Sequence, residues 1–277
     1  MALRISTNMA SINAQSSLDR SQRAIEKSFS QLSSGSRITK AADDAAGLTI
    51  SENLKSRVRG LDQAKRNAND AMSVIQVAEG GLNEIGNILV RLRELGVQAA
   101  SDSVSDNERG FIDKEVQQLK QEVDRIALTT RFGSVQLLDG TGETFDFQVD
   151  LGNDDFQDRI SFKASDIQAT TDVLKIDDFD FSDKGGARGS LEFVEAAQTK
   201  VKEYRSNLGA LQNRLISTQE NLSTQVENLS SANSRMRDAD IAQSTADLTR
   251  GNILLNASTA ILAQANEAPK MALSLLR

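Results

Sequence analysis

The sequence predicts a mainly α-helical protein: a long antiparallel helical bundle or coiled coil with a small β-hairpin insert, its N- and C-terminal helices paired. Three observations predict it. Proline occurs once in 277 residues, at position 269, so almost nothing interrupts a helix. Apolar residues repeat every seven positions through two long stretches, one in each half of the chain. Strict alternation of apolar and polar residues, the period of a strand, is confined to a short segment between them.

At the N-terminus, Ile5 and Ile12 lie one heptad apart, and Leu18, Ile25 and Leu32 continue in seven-residue steps with Phe29 beside them. This stripe predicts an amphipathic helix. Asp43 and Asp44 then precede an apolar run; adjacent carboxylates do not share a helix face, so they read as N-terminal caps and not as a catalytic pair. Gly47 reads as a bend or a tight packing point.

Leu54, Leu61, Ala68, Ile75, Leu82 and Leu89 form one row of the next helix, and Ala64, Ala71, Ala78, Ile85, Leu92 and Ala99 the row beside it. The seam is narrow, and its alanines predict close helix approach. Gly96 in VRLRELGVQ reads as a local weakening near the helix end. After a break at 101–103, Ser105 to Glu108 has the Ser-x-x-Glu spacing of a capping box, opening a helix with Ile112, Val116, Leu119, Val123 and Ile126 on one face.

In the 129–189 insert, Phe145, Phe147, Val149 and Leu151 alternate with polar residues, and Gly152–Asp155 turns the chain before Arg159–Phe162, which predicts a hairpin. Glycines 185, 186 and 189 read as a linker, with Ser190 capping the next helix. That helix carries Val194, Val201, Leu208, Leu215, Leu222, Leu229 and Met236 in one row. The tail, ILLNASTAILAQANEAPKMALSLLR, places Leu254, Ala257, Ile261, Ala265, Ala268, Ala272 and Leu275 on one stripe, with a kink expected before Pro269. Paired with the N-terminal stripe it would still leave apolar surface uncovered, which predicts burial against other copies of the chain.

Composition removes several functions. Histidine and cysteine are both absent, which withholds the usual neutral-pH proton carrier, the thiolate nucleophile and soft metal ligands, and points away from an enzyme. A net charge of -7 argues against nucleic-acid binding. No apolar run reaches the roughly 18 residues of a membrane span, and the opening residues lack the apolar core of a secretory signal. The acidic stretches at 150–158 and 177–183 lack the residue order of a calcium loop. No cofactor or metal is expected.

LSSGSRITKAADDAAGLTIS (32–51), FGSVQLLDG (132–140), SRMRDADIA (234–242) and ILAQANEAPKMALSLLR (261–277), with the opening LRISTNMASINAQSSLDRS, together resemble bacterial flagellin. The resemblance covers about residues 3–140 and 190–277. It implies an exported subunit that polymerises in many copies into the hollow helical flagellar filament used for motility. Residues 1–42 and 240–277 would form the inner coiled-coil domain and 43–239 the next shell, including the 129–189 hairpin segment, with no large outer domain. Export would use the flagellar channel without cleavage, and the terminal helices would order on assembly. Implied partners are an export chaperone and the cap and hook-associated proteins, with no nucleic acid and no membrane insertion. The polymerisation interface is expected at Ile5, Ile12, Leu18, Ile25, Leu32, Leu254, Ile261, Ala265 and Leu275. Arg91, Leu95 and Glu122 resemble a surface recognised by host innate receptors; the plainer reading is an Arg91–Glu122 surface pair with Leu95 packing between subunits. The rival identity is a hook–filament junction protein, which resembles flagellin at both ends.

Overall fold

The computed structural model describes residues 7–274, and the side chains of 7–267. The order is α1 (Met9–Ser34), α2 (Ala45–Ala99), α3 (Asp106–Thr129), β1 (Arg131–Phe132), β2 (Val135–Gln136), β3 (Thr144–Gln148), β4 (Arg159–Lys163), a short 3-10 turn (Ala164–Asp166), α4 (Thr171–Leu174), α5 (Lys184–Arg237) and α6 (Ile241–Ser274). Two compact units result, one from Met1–Val58 with Asn228–Arg277 and the other from Arg59–Glu227.

The Arg59–Glu227 unit is held by the heptad rows. From Leu61 to Ala99 every seam residue of α2 is buried, as are Val194, Ala197, Val201, Leu208, Leu215 and Leu222 of α5. The helices run antiparallel: Gln198 Nε2 donates to the Leu89 carbonyl at 3.1 Å, and Gln212 Nε2 to Glu79 at 2.7 Å. Gly96 lies within α2, which runs on to Ala99. A Cβ there would lie 2.9 Å from Leu191 Cδ2 and 3.4 Å from Phe181 Cζ, so the missing side chain is a notch for α5 and the insert.

α3 opens with the expected capping box: Ser105 Oγ accepts from the Glu108 amide, and a Glu108 carboxyl oxygen accepts from the Ser105 amide at 2.8 Å. Arg109, buried beneath the turn, donates to the carbonyls of Ala99 and Ser101, each at 2.8 Å. The Ala99 carbonyl closes α2 and that of Ser101 lies in the turn beyond it, where the Val104 amide also reaches it at 3.5 Å, so Arg109 ties the α2 end to the α3 start.

The hairpin pairs β3 with β4, Phe145 opposite Phe162 and Phe147 opposite Ile160. Two features of the insert escape the period-two pattern. β1 and β2 have two residues each, too short to show a period. Residues 167–181, almost without regular structure, bury Ile167, Leu174, Ile176, Phe179 and Phe181 along α3. A polar stripe on α3 holds them. Asp113 accepts from the Phe181 amide, Gln117 donates to the Phe179 carbonyl, Lys120 to the Asp177 carbonyl, and Asp124 accepts from both Thr171 groups.

The glycine linker is corrected. α5 begins at Lys184, so glycines 185, 186 and 189 lie in its first two turns. Asp183, not Ser190, caps it, accepting from the Gly186 amide at 2.5 Å, while Ser190 Oγ donates to the Gly186 carbonyl inside the helix. A Cβ on Gly186 would meet the Asp180 carbonyl oxygen at 2.5 Å, so glycine serves a close approach here.

Candidate polymerisation surface

The terminal unit is built on α1 and α6, which pack antiparallel. Half or more of each residue is covered along Ser11, Ala14, Leu18, Ser21, Ile25, Ser28 and Leu32 of α1, and along Ser244, Leu248, Gly251, Leu255, Ser258, Leu262 and Ala265 of α6. Steps of three and four generate both rows. Ile25 sits on Gly251, whose added Cβ would lie 2.7 Å from Ile25 Cγ1. Counting seven residues in opposite directions from this contact sets Leu18 opposite Ser258 and Leu32 opposite Ser244. The intervening layers set Leu248, Leu255 and Leu262 opposite Ser28, Ser21 and Ala14. Every large residue therefore faces a small one, which lets two helices approach closely over seven layers.

This seam differs from the expected one in its choice of rows. Leu18, Ile25, Leu32 and Ala265 lie in it, but Ile12 (50% exposed) and Phe29 (64%) do not. On α6 the seam uses Leu248, Leu255 and Leu262, leaving Ile253 (63%), Leu254 (50%) and Ile261 (58%) on open faces. α6 is apolar on more than one face, so periodicity alone could not choose between its rows; the small residues opposite Leu18, Ile25 and Leu32 decide. Ile5 and Leu275 lie outside the described residues. α6 continues through Pro269 to Ser274, so the proline does not end the helix.

Two of the motifs meet at the corner of this unit. α1 ends at Gly35, whose positive φ of 65° suits glycine. Beyond it the chain pairs with the α5–α6 link: Arg37 N donates to the Arg237 carbonyl at 2.6 Å, Ala239 N to the Gly35 carbonyl at 2.9 Å, and Arg37 Nη2 to the Met236 carbonyl at 2.9 Å. Arg237 in turn pairs with Glu52. Asp240 caps α6 through the Gln243 amide at 3.1 Å.

Asp43 and Asp44 divide the work expected of them jointly. Asp44 caps α2, accepting from the Gly47 amide at 2.8 Å. Asp43 instead accepts from the Thr39 hydroxyl and from the Thr39 and Lys40 amides, and pairs with Lys27 of α1 at 3.3 Å. The Thr39 hydroxyl, then the Lys40 amide, are the main causes that hold its carboxyl at about 2. Gly47 is a packing point, since a Cβ there would crowd Ile38 Cδ1 at 2.8 Å.

Arg91, Leu95 and Glu122 do not form one surface. Arg91 pairs with Glu115 at 2.8 Å and Glu94 at 3.1 Å, while Glu122 pairs with Arg125, one turn along α3. Leu95 is 2% exposed, buried in the chain's own core. Leu95 follows Leu92 by three residues and precedes Ala99 by four, which sets it beside the seam and turns it inward.

A chain whose ends pair as helices, and whose last helix leaves a second apolar face open, is built as a component of a larger assembly. Residues 5–143 match the bacterial flagellin N-terminal helical region and residues 191–276 the bacterial flagellin C-terminal helical region. The chain belongs to the bacterial flagellin family. It is similar to a flagellin of Halalkalibacterium halodurans, 41% identical over 273 residues and covering 99% of each chain. The solved structure of Bacillus cereus flagellin aligns at a TM-score of 0.51 and 31% identity, covering 61% of this chain and 94% of that one. A putative flagellar hook-associated protein from Vibrio parahaemolyticus aligns at 0.60 and 14% identity, covering 71% and 100%; at that identity the likeness shows the fold alone. End-to-end similarity to flagellins favours the filament over the hook–filament junction: the chain is a structural subunit of the bacterial flagellar filament.

Proposed function

We propose that the chain polymerises by burying the open apolar side chains of its terminal helix pair against neighbouring copies. The exposed Ile253, Leu254 and Ile261 on α6 carry this reading, supported by Ile12 and Phe29 on α1. Fully covering one such side chain is worth about 1.5–3 kcal/mol. Three or more at each contact, repeated along a polymer, supply a driving force that a single chain cannot use. Leu18, Ile25, Leu32 and Ala265 act one step earlier by building the pair.

In this reading segments 1–42 and 240–277 form the inner shell and 43–239 the next. The subunit leaves the cell through the flagellar export channel. An export chaperone shields the open apolar rows beforehand, and the cap and hook-associated proteins meet the same rows at the filament ends. The role is structural and non-catalytic, consistent with aspartates that cap helices and turns in a chain without histidine or cysteine.

Ile261→Asp, mixed with filament seeds, tests the reading. A carboxylate on the open face should stop elongation while circular dichroism of the soluble chain stays unchanged; normal elongation by this variant would refute the assignment.

A further inference from the structure

Pro269 has no backbone N–H, so the carbonyl of Ala265, four residues earlier, loses its donor inside α6. A donor comes from the other end of the chain: Asn8 Nδ2 lies 2.8 Å from the Ala265 carbonyl oxygen. The same side chain caps α1, its Oδ1 accepting from the Ser11 amide at 3.2 Å. Beside it, Ser11 Oγ donates to Asn266 Oδ1 at 2.8 Å.

From this juxtaposition we propose that Asn8 and Pro269 form one latch, in which proline opens a carbonyl that the asparagine amide at the other end of the chain satisfies. The seam between α1 and α6 consists of near-identical large-on-small layers, and a one-heptad slip would exchange one such layer for the next. The latch breaks that degeneracy, because proline frees a carbonyl inside α6 and the Asn8 amide that meets it stands at the start of α1. Asn8 is thus a positioning residue for the terminal pair, and the proposal rests on the polymerisation reading for its consequence in the filament. Both functional groups of the asparagine amide are in use, so substitutions separate them. Aspartate keeps the cap oxygen and loses the donor.

The test is a double-mutant cycle on the full chain with Asn8→Asp, Pro269→Ala and the pair together. Two readouts are taken: the lowest subunit concentration at which filament seeds elongate, and amide hydrogen exchange on either side of Ala265. Asn8→Asp should raise that concentration, and speed that exchange, by about tenfold in the wild-type background. Pro269→Ala gives the Ala265 carbonyl an intrahelical donor, so in that background Asn8→Asp should change either quantity by no more than about twofold. Equal effects in both backgrounds, or no effect in either, would overturn the latch. Coupling seen by exchange in a chain that fails to extend seeds would uphold the latch and remove the polymerisation reading. Normal extension with additive effects would do the reverse.

Discussion

Gly251→Ala sets two terms of known sign against each other. Alanine in a helix interior is favoured over glycine by about 1 kcal/mol. Against this, the new Cβ would lie 2.7 Å from Ile25 Cγ1 and 3.6 Å from Ile25 Cδ1, where apolar carbons normally settle at about 3.5–4.0 Å. Relieving such an overlap inside a closely packed helix pair costs about 1–3 kcal/mol. The overlap wins by about 1 kcal/mol, a roughly fivefold rise in the concentration needed for seeded elongation. Removing the obstacle reverses the sign: in an Ile25→Ala background the same Gly251→Ala change meets only the Cβ of residue 25, at an ordinary 3.9 Å, and should stabilise by about 1 kcal/mol. Critical concentrations of the four chains, read by sedimentation, measure both numbers. If Gly251→Ala stabilises the wild type as much as it does the Ile25→Ala chain, Ile25 does not rest on Gly251 and the seam register is wrong.

Two further consequences concern the corner and the turn. Asp43 has a folded pKa of about 2, below the ordinary carboxylate value near 4, so its stabilising contacts are fully present above pH 4 and are lost as pH falls toward 2; a carboxyl NMR titration should find its midpoint near 2, and Asp43→Asn should abolish that part of the acid response, whereas a midpoint near 4 would mean that the Thr39 and Lys40 contacts do not form. Arg109→Lys should destabilise the Arg59–Glu227 unit by about 2 kcal/mol in urea unfolding, since an ammonium cannot reach both the Ala99 and Ser101 carbonyls as the guanidinium does; a change below about 0.5 kcal/mol would show that these carbonyls are satisfied without it.

The long helices of the Arg59–Glu227 unit were legible because each buries a single narrow stripe: the rows from Leu61 to Ala99 and from Val194 to Leu222 are buried where their period puts them. The capping box at Ser105 was legible because two side chains three residues apart define it. α6 was not, since it has two apolar rows, and the choice of Leu255 over Leu254 for the seam depends on which residues of α1 are small. Glycines 185, 186 and 189 misled for a related reason. Glycine marks a flexible linker and a close helix approach with the same letter, and only the position of Asp180 above Gly186 separates the two. The Asp183 cap was visible as an aspartate three residues before Gly186, but the glycines outweighed it. The α3 stripe of Asp113, Gln117, Lys120 and Asp124 went unread, because its partners are backbone groups of 171–181 and leave no trace in composition. Arg91 and Glu122 were joined through the family resemblance, whereas distance selects Glu115 as the partner of Arg91.

The chain contains no cysteine, so single cysteines report their own surroundings without interference. Maleimide labelling of Leu254→Cys and Ile261→Cys, each compared between soluble subunit and assembled filament, asks whether the open face of α6 is where copies of the chain meet. Both thiols should react rapidly in the subunit and lose reactivity by about a hundredfold or more in the filament, while Asp155→Cys, on the exposed hairpin loop, keeps most of its rate. Undiminished labelling at 254 and 261 in intact filaments would place the contact elsewhere and contradict the proposed assembly.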